Sequence, residues 1–223
     1  MISVVIPALN EEKALPGTLA ALLRQPARFE TIVVDGGSSD RTRQIASSWP
    51  HVRVISAPRG RASQMNAGAQ LAGGEWLLFL HADTLLPEDA LARIESLDAS
   101  VQSGGFRHRF AGDDWRLRLI SWIDNLRCRR TRVFYGDQAV FVRRELFWRL
   151  GGFPPVPILE DVQFGELLRR ATRPLLMPEA VITDPRKFLR MGVFRSLGRC
   201  LLILACHELH LPIPARVFFS DVR

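Results

Sequence analysis

Four short apolar runs, each followed by a helix-like stretch, constrain the fold of this chain more than any other feature of its sequence. The first run, over residues 2–6, is rich in β-branched side chains, and the runs over 31–34, 52–55 and 76–80 look similar. Such runs suit strands that are covered on both faces, as in a parallel sheet. Between and after them the sequence predicts helices, the second with Asp40 as its N-cap, at residues 15–23, 40–48, 61–71 and 87–97. This alternation predicts βαβ units with right-handed crossovers onto a parallel sheet.

The second half of the chain is less regular. It predicts two strands, the first with a glycine break at Gly104-Gly105, over residues 101–110 and 139–142. It also predicts helices over residues 115–127, 145–150 and 161–170, and either one long helix or a broken pair over 188–209. The chain has 223 residues, of which 47% are hydrophobic, so it can bury the core of one domain.

The net charge and the cysteine content limit which classes of binding partner and which cellular compartment are expected. The net charge of +7 fits either a basic surface without a specific partner or an anionic partner, namely a phosphorylated substrate, an acidic lipid surface or nucleic acid. Nucleic acid is not expected, because one tyrosine and no aromatic–basic interleaving give no stacking platform. Three cysteines without metal-type or disulfide spacing fit a reducing compartment. Neither a signal peptide nor a run of about 18 apolar residues is visible, so we expect a cytoplasmic protein.

Polar residues follow three of the predicted strands at their carboxyl ends, where open α/β sheets bind ligands. They lie in the segments PALNEE (7–12), DGGSSD (35–40) and HADT (81–84). Each segment alone is typical of a helix start or a turn. Three such segments at one edge of a sheet indicate a binding site.

The residue types in these segments favour a nucleotide diphosphate as the ligand. Asp35 can accept hydrogen bonds from a base or a ribose, and Gly36 lets a ligand approach the backbone. Asp83 offers hard oxygen ligands of the kind that Mg²⁺ and Mn²⁺ prefer. Arg61, at the start of a predicted helix, can bind the diphosphate bidentately.

An ordered set of motifs makes the chain resemble the family 2 glycosyltransferases. The motifs are PALNEE, VVDGGSSDRT, GRASQMNAG, LLFLHADT, GGFPP and LED, and they span roughly residues 1–185. The details QMNAG, HADT and GDQAVFVRR are most similar to a bacterial subfamily. The resemblance implies the A-type glycosyltransferase fold, an α/β fold with a mostly parallel central sheet flanked by helices. It also implies transfer of a sugar, with inversion, from a nucleotide-diphosphate donor, expected to be a UDP sugar, to a hydroxyl acceptor.

The resemblance also implies a division of labour within one domain over residues 1–223. Residues 1–100 are expected to form a Rossmann-like half that binds the nucleotide sugar. Residues 101–187 are expected to form the acceptor-binding and catalytic half, and 188–223 a C-terminal helical appendage.

Family roles can be carried over to matching positions in the first half. Glu11 and Asp35 match the acids that bind base and ribose, and Pro7 and Ala8 match residues that line the base. Asp83 ends the family's Asp-X-Asp motif and is therefore implied to bind the metal, Mn²⁺ or Mg²⁺.

His81 stands at the first position of that motif, where the family pattern has aspartate. One carboxylate instead of two is then left for direct metal contact. As a neutral imidazole, His81 can contact ribose or ligate Mn²⁺, and the alternative is a hydrogen-bonded histidine at a strand end.

The adjacent acids of PILEDVQFGE (157–166) match the Glu-Asp motif of the family. An acid pair is typical of the first turn of a helix, where the helix dipole is positive. The resemblance implies more: Asp161 as the general base that takes the proton of the acceptor hydroxyl. For Glu160 two roles are open, to position acceptor hydroxyls or to act on Asp161 through like-charge repulsion.

Further segments leave their alternatives open. The sequence GDQ gives Asp137 and Gln138 as acceptor-binding candidates, and the alternative is a turn. The arginine-rich run 127–132 and the basic, apolar segment 188–219 favour a solvated or packed surface, peripheral contact with the inner face of an anionic membrane, or a homodimer contact. His207 and His210 share a helical face, for which a structural role is expected over a metal site.

Two other functions stay open at this stage. A nucleotidyltransferase can share a similar α/β core, although it gives no reason for the Glu160-Asp161 pair. A non-catalytic nucleotide-sugar-binding protein would account for His81 in place of aspartate.

Overall fold

The apolar runs form the strands of one sheet, as their patterning predicts. A computed structural model describes residues 1–209 and residue 211 of the chain. The strands are β1 (Ile2–Ala8), β2 (Phe29–Asp35), β3 (Val52–Ser56), β4 (Trp76–Phe79), β5 (Thr84–Leu85), β6 (Ser103–Phe110), β7 (Phe141–Arg143) and β8 (Leu175–Thr183). The helices are α1 (Leu15–Leu23), α2 (Thr42–Ser47), α3 (Arg61–Leu71), α4 (Ala90–Glu95), α5 (Trp115–Thr131), α6 (Arg144–Arg149), α7 (Glu160–Ala171), α8 (Arg186–Met191) and α9 (Val193–Glu208).

The eight strands lie in the order β3-β2-β1-β4-β7-β6-β8-β5, so the sheet contains strands from both halves of the chain. Strand pairing is parallel from β3 to β4 and again between β6 and β8, and β7 is antiparallel to both of its neighbours. Two successive antiparallel pairings bring β6 and β8 into the same direction as β1. The carboxyl ends of β1, β2, β4, β6 and β8 therefore meet at one edge of the sheet.

Helices cover both faces of the sheet, which explains why its central strands are unbroken apolar runs. Along β1, Val4 and Ile6 pack into the core cluster that includes α1 and α4. Val5, between them, packs into the opposite cluster, which includes α3 and α7.

Three local predictions were wrong. Helix α2 begins at Thr42 and has Arg41 as its N-cap; Asp40 instead accepts hydrogen bonds from the amides of Glu12 and Thr42. Helix α4 is shorter at both ends than predicted. Gly104-Gly105 does not break β6, because both glycines lie within the strand, where a Cβ would collide with neighbouring side chains.

Strand β8 was not predicted, and its sequence explains why. Pairing with β6 shifts register between Phe106 and Arg107, whose partners are Met177 and Ala180. Pro178 falls in this irregularity, where it does not need to donate a ladder hydrogen bond. The proline and the following glutamate interrupt what would otherwise read as an apolar strand.

The C-terminal segment forms the broken pair of helices, and Gly192 separates them with a φ of 87°. His207 lies near Glu166, whereas His210 and residues 212–219 of the predicted basic, apolar segment lie outside the described residues. Across residues 1–209 and 211, none of the helices combines the length and the hydrophobicity that crossing a bilayer requires. All three cysteines are free.

Candidate active site

A cavity of about 400 Å³ opens at the sheet edge where the parallel strands end. Its volume lies in the range of small-molecule sites. Nine of the twelve residues predicted for the site line it, namely Pro7, Ala8, Glu11, Arg61, His81, Asp83, Asp137, Glu160 and Asp161. They come from the ends of β1 and β4, the start of α3, the 3₁₀ turn Gly136–Gln138 and the start of α7. The fold thus brings residues distant in sequence to one place.

One end of the cavity is formed by Arg61, Glu160 and Asp161. The Arg61 Nη2 atom lies 3.5 Å from Asp161 Oδ2, and Nε lies 2.9 Å from Glu160 Oε1. The second contact is an ion pair without hydrogen-bond geometry, because neither Arg61 Nε nor Glu160 Oε1 completes a hydrogen bond. Burial disfavours the guanidinium charge, but the fields of Glu160 and Asp161 outweigh it and raise the pKa of Arg61. This end therefore carries fixed charges of both signs.

Both acids lie in the first turn of α7, so the helix dipole adds to the field that stabilises their charges. Glu160 is only 2% exposed, whereas Asp161 faces more of the cavity. The amide of Gly136 donates to Asp161 Oδ2 over 2.5 Å and thereby orients this carboxylate. Glu160 and Asp161 therefore begin a helix and also line the cavity.

Gly136 allows the 3₁₀ turn to close over the guanidinium. A Cβ at this position would stand 2.1 Å from Arg61 Nη2 and 2.6 Å from His81 Nε2. These two nitrogens are 2.8 Å apart. Because arginine only donates hydrogen bonds, His81 Nε2 is the acceptor of this hydrogen bond.

The other end of the cavity contains Glu11 and Asp83, bridged by a lysine. Lys187 Nζ lies 2.8 Å from Glu11 Oε1 and 3.0 Å from Asp83 Oδ2. Arg186 makes a second ion pair with Glu11. Burial alone would raise the pKa of Asp83, but the Lys187 ammonium outweighs it and the pKa is lowered. Asp83 is therefore a buried, charged carboxylate at the wall of the cavity.

The chemistry of this end fits a divalent cation. Within residues 1–209 and 211, no three histidine, cysteine, aspartate or glutamate side chains are grouped as a ready-made metal site. Glu11 and Asp83 nevertheless share one cation, the Lys187 ammonium, and their oxygens are of the hard type that Mg²⁺ and Mn²⁺ prefer. Such ions commonly use one or two protein carboxylates and complete their coordination with phosphate and water.

Three predicted site residues do not line the cavity. Asp35 is buried at the end of β2, and its carboxylate accepts from the amides of Gly37 and Ser38. A Cβ at Gly36 would stand 3.0 Å from the side-chain amide of Gln64, so this amide covers the glycine.

Gln138 is the third. Its side chain is fully buried and its amide bonds to Phe106, Tyr135 and Arg127. The turn alternative, not acceptor contact, therefore describes Gln138. Asp137 does face the cavity; burial raises its pKa, and His108, whose Nε2 lies 3.5 Å from Asp137 Oδ2, opposes that rise.

The remaining wall of the cavity is largely apolar. It is formed by the end of β6, the start of α7 and the inner faces of α8 and α9, with Phe110, Ile158, Val162, Phe188, Met191, Ile203 and Leu204. An apolar wall beside a charged end suits a ligand that has both kinds of surface.

The sequence reasoning missed Arg186 and Lys187. They follow β8 in the segment TDPRK, at the same sheet edge as the motifs after β1 and β4. The rule that selected those motifs would have selected TDPRK had β8 been predicted. A second signal was also present: Lys13 and Lys187 are the only lysines among 30 basic residues in the sequence.

Comparison with known sequences assigns the family. The model described as Glycosyl transferase family 2 matches residues 3–151. The chain belongs to this family. The predicted resemblance is thereby confirmed.

Two relatives of similar sequence are named as sugar transferases. A PGL/p-HBAD biosynthesis glycosyltransferase of Mycobacterium bovis is 36% identical over 173 residues, which cover 69% of this chain and 63% of the relative. An undecaprenyl-phosphate 4-deoxy-4-formamido-L-arabinose transferase of Pectobacterium carotovorum is 38% identical over 104 residues, covering 42% of this chain and 32% of the relative. This family 2 chain therefore spans less than two thirds of the length of either.

Solved structures confirm the A-type glycosyltransferase fold. Residues 1–349 of S. aureus TarS, in complex with UDP-GlcNAc, superpose with a TM-score of 0.67 at 20% identity, covering 82% of this chain and 58% of that one. The mannosyltransferase PcManGT of Pyrobaculum calidifontis, in complex with GDP-Man and Mn²⁺, gives a TM-score of 0.65 at 23% identity, covering 82% and 56%.

Proposed function

We propose that this family 2 protein transfers a sugar, with inversion, from a nucleotide-diphosphate donor to a hydroxyl acceptor. The observation that carries the proposal is the cavity in which two acid pairs, each bridged by a basic side chain, face each other. The Glu160–Asp161 pair can supply a general base, and the Glu11–Asp83 pair can bind a cation. A base for the acceptor proton and positive charge beside the leaving diphosphate both promote transfer from a nucleotide sugar.

The donor is proposed to bind along the ends of β1, β2 and β4. Pro7 and Ala8 would line the base, with Glu11, Asp35 and Gly36 near base and ribose, as the family pattern implies. The two structural neighbours are described with UDP-GlcNAc and GDP-Man, which supports a nucleotide sugar as donor. We retain a UDP sugar as the expected donor, with His81 beside the ribose and diphosphate.

The chemical step assigns separate work to the two ends. Asp161 takes the proton of the acceptor hydroxyl while the acceptor oxygen forms its bond to the anomeric carbon. The bond between that carbon and the diphosphate oxygen breaks, and its electron pair leaves with the diphosphate. Arg61 stabilises the negative charge that develops there, and Glu160 keeps Arg61 in place.

Asp83 would bind the divalent ion, Mn²⁺ or Mg²⁺, whose positive charge stabilises the leaving diphosphate when it is bound. For this to happen the Lys187 ammonium must leave the carboxylate that it contacts at 3.0 Å. PcManGT, described with Mn²⁺, supports metal use.

The acceptor is proposed to be a hydroxyl carried by a lipid or by a cell-envelope glycan. The apolar wall next to Asp161 supports it, as does the name of the Pectobacterium relative, which specifies an undecaprenyl phosphate. Asp137 would contact the acceptor from the 3₁₀ turn. Free cysteines and a nucleotide-sugar donor support action in the cytoplasm, at the inner face of the cytoplasmic membrane.

Family membership favours this function over a nucleotidyltransferase, which would release pyrophosphate from a nucleoside triphosphate. It also favours an enzyme over a non-catalytic binding protein. His81 contacts Arg61 in the cavity, which supports a role for the histidine in the proposed active site.

The test is release of nucleoside diphosphate from a panel of nucleotide sugars, with Mn²⁺, with Mg²⁺ and with chelator. We expect slow hydrolysis of one donor that requires the metal and falls by at least about 100-fold in Asp83→Ala. Asp89→Ala is the matched control, because Asp89 is exposed and its side chain caps no helix amide. The metal role of Asp83 would be contradicted if hydrolysis were as fast with chelator as with metal, or as fast in Asp83→Ala as in the wild type.

A further inference from the structure

Exposed apolar side chains concentrate on three helices. Among the described residues, eight of the fifteen exposed large hydrophobic side chains belong to α5, α8 or α9. Four of them, Trp115, Leu119, Trp122 and Ile123, form what we call the α5 stripe. Their spacing of three or four residues brings them onto one face of the helix. Scattered exposed apolar residues are ordinary, but a continuous face with two tryptophans marks an interaction surface.

The α5 stripe is not needed to anchor its helix. The opposite face of α5 packs Leu117 and Ile120 into a buried cluster with Phe110 of β6 and Val193 of α9. Trp115 and Trp122, in contrast, are 65% and 62% exposed. A helix that is already anchored on one side gains nothing for its own folding from tryptophans on the other side.

Arginines surround the α5 stripe. Helix α5 contains five arginines and one aspartate. Arg116 and Arg127 are paired with Asp114 and Asp124, whereas Arg118, Arg129 and Arg130 are exposed on the same helix. A helix with tryptophan and leucine on one face and a basic border is the type that lies in the interface of an anionic bilayer. Tryptophan itself prefers the level of the lipid headgroups.

We propose that the α5 stripe docks this protein onto the surface of an anionic lipid bilayer. A second copy of the chain fits the surface less well, because a two-fold contact through this face would bring the arginine borders of two helices together. The net charge of +7 favours the same partner.

Docking through α5 has a consequence for the acceptor, and this step rests on the proposed function. Phe110 and Phe188 belong to the cluster beneath α5 and also line the cavity. The layer of side chains beneath the docking helix is therefore also part of the apolar wall of the cavity. Docking through α5 would bring this apolar wall close to the bilayer that holds a lipid-linked acceptor.

The proposal is tested with the full chain and vesicles of phosphatidylcholine, with or without about one third phosphatidylglycerol. We compare the wild type, Trp115→Ser/Trp122→Ser and the matched control Trp148→Ser, whose indole is 41% exposed on α6. Wild type and control should bind anionic vesicles in co-sedimentation, with weaker binding at high salt. The double variant should bind at least about tenfold more weakly.

Donor hydrolysis without vesicles separates this proposal from the proposed function. It should be unchanged in the double variant, since neither tryptophan lines the cavity. Equal vesicle binding by wild type and double variant, or none by the wild type, would overturn the docking proposal. Dimerisation in sedimentation equilibrium that the double variant abolishes would overturn it too, by assigning the stripe to a second copy. Absence of donor hydrolysis by the wild type, with its vesicle binding intact, would count against the proposed function alone.

Discussion

The two ends of the cavity use the same arrangement, a basic side chain between two acids, but they are supported differently. Arg61 is the first residue of α3, an eleven-residue helix that buries Met65 and Ala69 against the sheet. Lys187 belongs to α8, a six-residue helix of which no residue is fully buried. The Arg61 end is therefore fixed by the core, and the Lys187 end is fixed mainly by its own ion pairs.

This difference matches what each end is proposed to do. Stabilising a charge that develops during the reaction works best with groups that are already in place, as Arg61 is. Accepting a metal and a diphosphate requires a group that can leave, and segments with few buried contacts move at low cost in free energy. The three predictions that follow separate the fixed end from the movable end, beginning with the largest expected effect.

Replacing the proposed base should abolish transfer without disturbing the donor. We expect Asp161→Asn to lower kcat by at least about 100-fold, because the amide cannot take the proton of the acceptor. The affinity for the nucleoside diphosphate should change by less than about threefold, since the Glu11–Asp83 end is untouched. Turnover and isothermal titration with the released nucleotide measure the two quantities.

Asp113→Asn is the control for this variant, because Asp113 is exposed in the loop before α5. A variant at Asp161 that turns over within about threefold of the wild type would remove this residue from the base role. Loss of nucleotide affinity by tenfold or more would show that the two ends are not independent.

Much of this arrangement could be predicted from sequence, and particular residues show where prediction stops. Strands β1, β2 and β4 are evident because both of their faces are mostly buried, which leaves largely apolar runs. Strand β8 was not predicted, because Pro178 interrupts its apolar sequence. Lys187, which follows β8, was therefore not predicted as a site residue. The strand-end rule placed Asp35 at the correct edge of the sheet. It could not show that the carboxylate turns toward the amides of Gly37 and Ser38, since side-chain direction depends on the loop that follows.

The second prediction concerns a substitution that disturbs the Arg61 end of the cavity without removing a charge. In Gly136→Ala the new Cβ would collide with Arg61 Nη2 and His81 Nε2, so the guanidinium must shift from its position beside Asp161. We expect kcat to fall about tenfold, as misplacement of a stabilising group does, and the free energy of unfolding to fall by about 1–3 kcal/mol.

Turnover and thermal unfolding test this variant against Gly17→Ala, whose Cβ would meet nothing within 4 Å. The control should leave kcat unchanged. If Gly136→Ala also left kcat unchanged, the position of Arg61 would not matter for the chemical step, and the contrast between a fixed and a movable end would be wrong.

The smallest expected effect concerns the movable end and is read from metal binding alone. The Lys187 ammonium lies within 3.0 Å of both Glu11 and Asp83, so it competes with any cation for these oxygens. Lys187→Met keeps an unbranched side chain but removes the charge. We therefore expect Mn²⁺ to bind the donor-free protein about three- to tenfold more tightly, as detected by electron paramagnetic resonance. Lys13→Met, at an exposed position after the first strand, should leave Mn²⁺ affinity unchanged. An equal affinity in Lys187→Met and wild type would mean that the lysine and the metal do not share a site, and that Lys187 is as fixed a part of the cavity as Arg61.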